Sequence, residues 1–135
     1  MAITQGVSRK KDFSDLDLDF LAHPTTGDIV RKTGEDAIKR SVRNLILTNY
    51  YDRPFRSQIG SNVQKILFDN ISPLTQNFLK DAIHEVITLY EPRVKILEIN
   101  VGVSADNNGF DVTLSYQIVN KVEPTVINLF LERIR

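Results

Sequence analysis

A change of hydrophobic period near residue 92 predicts an α+β fold, a single domain with helices packed on one face of an antiparallel β-meander. Upstream, Leu74, Phe78, Leu79, Ala82, Ile83, Val86, Ile87 and Tyr90 recur at helical spacing. Downstream, apolar and polar residues alternate on both sides of the reversal ADNNG, the signature of a β-hairpin. A third alternating stretch, with Ile127, Leu129 and Leu131 on one side, adds a strand near the C-terminus.

The 135 residues suit one domain with a real core. Residues 1–12 are small, polar or basic without periodicity and read as a flexible arm, leaving 13–135 as the domain. Hydrophobic residues at 41% and charged residues at 25% are ordinary for a globular protein. Lys+Arg and Asp+Glu both number 17, so no global field marks a nucleic-acid or membrane binder, and any partner is met by a local patch. The absence of cysteine removes disulfides, zinc thiolates and thiol catalysis, and fits a reducing compartment. No apolar run approaches the roughly 18 residues of a membrane span, and MAITQGVSRKKDF lacks the apolar region of a signal peptide, so the expected product is cytoplasmic.

The elements follow in order. FSDLDLDF (13–20) alternates Leu16, Leu18 and Phe20 against Asp15, Asp17 and Asp19, which suits an edge strand or an extended segment equally. HPTTGD (23–28) is turn chemistry, and a short strand at Asp28–Arg31 returns from it. Thr33-Gly34-Glu35-Asp36 opens a first helix that runs to about Thr48, with Ile38, Val42, Leu45 and Ile46 inward and Lys39, Arg40 and Arg43 outward. NYYDRPFRSQIG (49–60) has no sustained period and predicts a loop, with room for a tight hairpin. Ser61-Asn62-Val63-Gln64 has the spacing of a capping box and opens a second helix of about two turns through Ile66, Leu67 and Phe68. Ser72-Pro73 caps the third helix, which Pro92 limits to about Tyr90. Three strands follow, the first placing Leu97, Ile99, Val101 and Val103 on one face.

Motifs for chemistry are missing. His23 and His84 stand without partners at ligand spacing, and the chain has no HExxH, phosphate-binding glycine loop or GxSxG elbow. No cofactor and no metal is expected, and no catalytic residue is assigned. A glycosidase needs only two carboxylates, for which Glu85 and Glu91 are the candidates. A general acid needs a raised pKa, whereas Arg93 two residues from Glu91 favours the ionised form. The basic first helix with Arg53, Arg56, Tyr50 and Tyr51 has the makings of a nucleic-acid surface, but zero net charge favours a solvated face.

Between the third helix and the strands lies Glu91-Pro92-Arg93, opposite charges either side of a proline. On residues alone it reads as a structural hinge, a catalytic carboxylate, a docking site or, the reading the residues favour, an intrachain Glu91–Arg93 pair that caps the helix end. Three stretches in order then carry a resemblance: RPF at 53–55 with glycine at 60, ILFDNISPLT at 66–75, and YEPRV at 90–94 leading into alternating strands. From about Asp28 onward the chain resembles the baseplate wedge family of contractile-tailed phages, the gene-25-product-like sheath initiators related to TssE of type VI secretion.

The resemblance implies a structural protein with a sheath-like fold, assembled in the host cytoplasm and located in the virion at the tail baseplate. It implies attachment to a helical bundle of larger wedge proteins, a platform for polymerisation of tail sheath protein, and proximity to the tail tube, with neither nucleic acid nor membrane as partner. The family's wedge-core contact falls on Glu91, Pro92 and Arg93, with both charged side chains projecting from a rigid corner, and the Arg53-Pro54-Phe55 loop is the companion candidate. The alternative is a tail-associated peptidoglycan hydrolase, a label the family has also carried. Where relatives commonly place glycine before Arg-Pro-Phe, this chain has Tyr50-Tyr51-Asp52, and Ile59 precedes Gly60 where an aromatic is frequent. Sheath relatives interlock by exchanging extended arms, so the edge candidates 13–20 and 126–133 are the expected sites of strand addition by sheath subunits.

Overall fold

The computed structural model describes residues 13–17, 19–104 and 106–134, and the arm expected over 1–12 lies outside them. The described residues fall into two compact units, divided between Ala37 and Ile38.

In the first unit, β1 (Ser14–Leu16) pairs antiparallel with β2 (Arg31–Thr33), Ser14 opposite Thr33 and Leu16 opposite Arg31. The alternating segment is therefore a short strand in its own two-stranded sheet. The returning strand expected at Asp28–Arg31 sits further along, because the turn extends through Asp28: His23 donates its N–H to the Asp28 carbonyl at 2.7 Å, and Ala22 bridges Ile29. Gly27 holds φ +69° in that turn, a region glycine enters without steric penalty. Asp17 is buried and takes an ion pair from Lys32 at 3.5 Å. Gly34, at φ +60°, turns the chain from β2 into α1 (Gly34–Leu47), whose first turn carries Glu35 and Asp36 where the helix dipole favours acids.

The second unit holds the rest. Ile38, Val42, Leu45 and Ile46 of α1 are buried as their spacing requires. The second helix, α2 (Val63–Ile66), is a single turn. The capping box is not made: Asn62 occupies the cap position without a side-chain bond, Ser61 Oγ donates to the Ile46 carbonyl at 2.7 Å, and Gln64 Oε1 accepts from Asn49 Nδ2. The Ser61 oxygen still accepts from the Val63 N–H at 3.4 Å, but Gln64 is turned to Asn49, so the reciprocal half of the box is missing. By contrast Ser72 does cap α3 (Pro73–Tyr90), accepting from the Thr75 N–H at 3.1 Å, with proline in the first turn where its missing N–H is harmless.

β3 (Val94–Ser104), β4 (Gly109–Ile118) and β5 (Pro124–Glu132) form an antiparallel meander in the order β3-β4-β5, and α3 packs on β3. Phe110, Val112, Leu114, Tyr116 and Ile118 of β4 are all buried, facing Leu129 and Leu131 of β5 on one side and Ile99 of β3 on the other. Each such side chain contributes about 1.5–3 kcal/mol by leaving water. Two residues expected on that face, Leu97 and Val103, are exposed. The β3–β4 register shifts between Ile96 and Glu98, and Leu97 stands 53% exposed. The bulge changes phase, so Val94 before it and Ile99 after it are both buried. Leu74 and Phe78 of α3 are likewise exposed, leaving Leu79, Ile83, Val86 and Ile87 as its buried stripe.

Candidate docking site at the helix–strand corner

The third helix ends because of its sequence. Glu91 still donates its N–H to the Ile87 carbonyl at 2.9 Å, but its own backbone has left the helical region at φ −126°, ψ 77°, as a residue before proline must. The Val94 N–H then returns to the Glu91 carbonyl at 3.2 Å, closing a four-residue turn with Pro92 at its second position. The Arg93 carbonyl accepts from the Val119 N–H at 3.0 Å, so the corner is anchored to the sheet.

The side chains form the intrachain Glu91–Arg93 pair and not the two projecting charges that the resemblance implies. Glu91 does not project: its side chain is only 3% exposed, while that of Arg93 is 23% exposed. Arg93 Nε donates to Glu91 Oε1 at 2.5 Å and Nη2 to Oε2 at 2.8 Å, a fork-on-carboxylate pair. Ser41 Oγ of α1 donates to Glu91 Oε2 at 2.5 Å. Burial pushes the Glu91 carboxyl up, but the Arg93 and Ser41 hydrogen bonds and the guanidinium charge outweigh it and hold the group below the ordinary carboxylate range. Pro92 remains exposed at the surface. The corner thus displays a proline and one edge of an arginine whose fork is fixed from beneath.

The loop 49–61 is closed by a parallel bridge between Asn49 and Ser61, which rules out the hairpin. Ser61 donates its N–H to the Thr48 carbonyl at 2.8 Å, Tyr51 donates to Ser57 O at 2.9 Å, and Asp52 Oδ2 accepts from the Asn49 N–H. Gly60 is required at the base, since a Cβ there would lie 2.5 Å from Asn49 O and Tyr50 N. Tyr51 at φ +72° and Phe55 at φ +66° occupy the left-handed region. A glycine at position 51 would hold this backbone without the steric penalty a Cβ carries there. Arg53, Pro54 and Phe55 form the exposed tip, and Phe55 is entirely in solvent. Tyr90 Oη, at the end of α3, donates to the Gln58 carbonyl at 2.7 Å and ties the loop to the helix that leads into the corner.

Ser41 was not foreseen. It lies three residues after Ile38 and one before Val42, on the flank of the buried stripe, so helical phase alone marked it as inward-facing. Among the remaining candidates, Glu85 and His84 are exposed on α3, and His23 Nδ1 accepts from the Thr25 N–H at 3.3 Å within its turn. Among the described residues no group of His, Asp and Glu is arranged to hold a metal ion, and no helix is long and apolar enough to cross a membrane.

The comparisons with known proteins agree with this layout. The chain is 29% identical over 110 residues to the baseplate wedge protein gp25 of Enterobacteria phage T4, covering 82% of this chain and 83% of that protein. Its fold matches a chain of the anti-feeding prophage baseplate with a TM-score of 0.73 at 19% identity, covering 83% of this chain and 90% of the other. A chain of the postcontracted pyocin R2 baseplate matches at 0.62 and 19% identity, over 78% and 98%. A protein of Geobacter sulfurreducens provisionally named a tail lysozyme matches at 0.62 and 22% identity, over 73% and 91%. At these identities the structural matches establish the fold. The family model for baseplate wedge protein gp25 matches residues 32–122, and the chain belongs to that family.

Proposed function

We propose that this chain is a non-enzymatic structural part of a contractile-tail baseplate wedge, docking on the helical core of the wedge through Pro92 and Arg93 with the Arg53-Pro54-Phe55 tip beside them in the assembly. The observation that carries this reading is the Glu91–Arg93 fork. A buried carboxylate holds the guanidinium in one orientation at a proline-fixed turn, so little side-chain freedom remains to be lost on binding. Glu91 acts as the positioning residue and Arg93 as the contact.

The sheath-facing role falls to β5. Both outer strands of the meander are edges, but β3 carries a bulge, a common guard against strand addition, whereas β5 pairs with β4 without a register break from Glu132 to Pro124. A regular edge of this kind is a template for a partner strand. A lysozyme activity finds no support in the carboxylates: Glu91 is held ionised by Arg93 and Ser41, the opposite of what a general acid requires.

The test is incorporation. Replacing Arg93 alone strands a buried carboxylate, so the informative variant is Glu91→Gln with Arg93→Gln, which removes both charges together. Tagged protein in purified contractile particles is compared with a major tail component. Incorporation of wild type and loss of the still-folded double variant support docking at the corner, and equal incorporation reduces the corner to a helix stop. Clearing of isolated cell walls by the pure protein would restore the hydrolase.

A further inference from the structure

A trough runs along α3 on the side away from its buried stripe. Its first part, about 390 Å³, has an apolar floor from Ile66, Phe78 and Ala82 and a rim carrying Asp69, Asp81 and Glu85, with Lys65 as the one basic group. Its second part, about 620 Å³, is lined by Tyr50, Leu89 and Tyr90, and the two share Asn62 and Glu85, so they are one surface feature. Phe78 and Leu89 are 48% and 61% exposed and, with Ile66 and Ala82, place apolar surface along the trough. Their separation of 11 residues corresponds to roughly 16 Å along the axis at about 1.5 Å per residue, three turns of a partner helix. Among the described residues no ion pair engages the Asp69, Asp81 or Glu85 side chains. Glu85 lines both parts, and burial first, then the Glu85 charge, pushes the Tyr50 phenol above its usual pKa.

We infer that this trough takes an amphipathic helix of another chain in the particle, with apolar anchors three and four residues apart and arginine or lysine flanking them. Apolar anchors fill the Phe78 and Leu89 ends, and the basic flank meets the Asp69, Asp81 and Glu85 rim. The inference rests on the assembly reading above; the trough reaches Tyr90 beside the Glu91–Arg93 corner, while its Phe78 end lies about three turns of α3 away from it. Three carboxylates against one ammonium select against acidic helices.

Two measurements on assembled particles decide it. A photo-crosslinking benzoylphenylalanine at Phe78, with a control at Pro92, is followed by mass spectrometry of the joined peptides. A crosslink from position 78 to a basic amphipathic segment of a different chain is the expected result. A crosslink to a second copy of this chain, to an acidic segment, or none at 78 while 92 reacts, overturns the trough and leaves the corner standing. Separately, Asp81→Lys with Glu85→Lys should lower incorporation at least tenfold without moving the melting temperature, both side chains being exposed. Unchanged incorporation overturns the inference. Failure of wild-type protein to incorporate at all removes the assembly reading and the trough with it.

Discussion

Arg93 grips Glu91 across a single intervening proline, with Nε on Oε1 at 2.5 Å and Nη2 on Oε2 at 2.8 Å. Two residues so close in sequence reach a fork geometry only because Pro92 folds the backbone into a turn between them. Glu91→Gln breaks the fork and leaves Arg93 and Ser41 without their shared acceptor charge. The expected loss is about 2–3 kcal/mol, below that of a fully buried pair because Arg93 is partly solvated. Urea unfolding of wild type and variant measures it.

The same carboxylate gives a pH signature. Its folded pKa lies below the ordinary value, so its stabilisation is fully present above the unfolded pKa of roughly 4.3 and disappears as pH falls through the lower folded value. Melting temperatures from pH 7 down to pH 3 should therefore fall more steeply for wild type than for Glu91→Gln, with the gap narrowing at the acid end. Parallel curves would contradict the assignment.

Gly60→Ala should destabilise the protein by about 1–3 kcal/mol, because the new methyl meets the backbone of Asn49 and Tyr50 at the base of the loop. Backbone cannot swing aside as a side chain does. Chemical denaturation gives the magnitude, and a neutral result would show that the base of the loop opens readily.

Tyr51→Gly carries the opposite sign. The left-handed backbone at φ +72° disfavours any residue with a Cβ, and the ring is 84% exposed, so little packing is lost. A gain of up to about 1 kcal/mol is expected from thermal melting. A loss would mean that the ring contributes more than its exposure indicates.

Val126→Lys with Asn128→Lys places two charges on exposed positions of the regular edge strand β5. Sheath nucleation should drop several-fold while attachment to the wedge is unchanged, since lysines on an edge oppose strand addition. Sheath length in electron micrographs reports the first and tag content the second. Equal loss of both would end the division between an edge for sheath and a corner for the wedge.

Local order spoke clearly in the sequence wherever a single element decided the outcome. The 3.6-residue stripe of α3, the Ser72-Pro73 cap, the stop before Pro92 and the alternation of β4 all need only near neighbours. The reciprocal capping box at Ser61 and Gln64 did not form, because Gln64 pairs with Asn49 15 residues away, while Ser61 donates to Ile46 and still accepts from the Val63 N–H. Leu97 reads as core in a regular strand and became surface through a bulge that no local pattern encodes.

By itself the sequence determined the α+β class, the helix-to-strand corner and the kinship carried by RPF, ISPLT and YEPRV. Those are matters of periodicity, proline stereochemistry and residue order, all readable along one chain. The Glu91–Arg93 pair was legible from two charges flanking a proline, but only the tertiary structure decided that it is buried, with Ser41 arriving from a helix 50 residues earlier. It alone joined α2, α3 and the 49–61 loop along one acidic, apolar trough. A charge's direction is set by what can solvate or pair it, and that partner is supplied by packing.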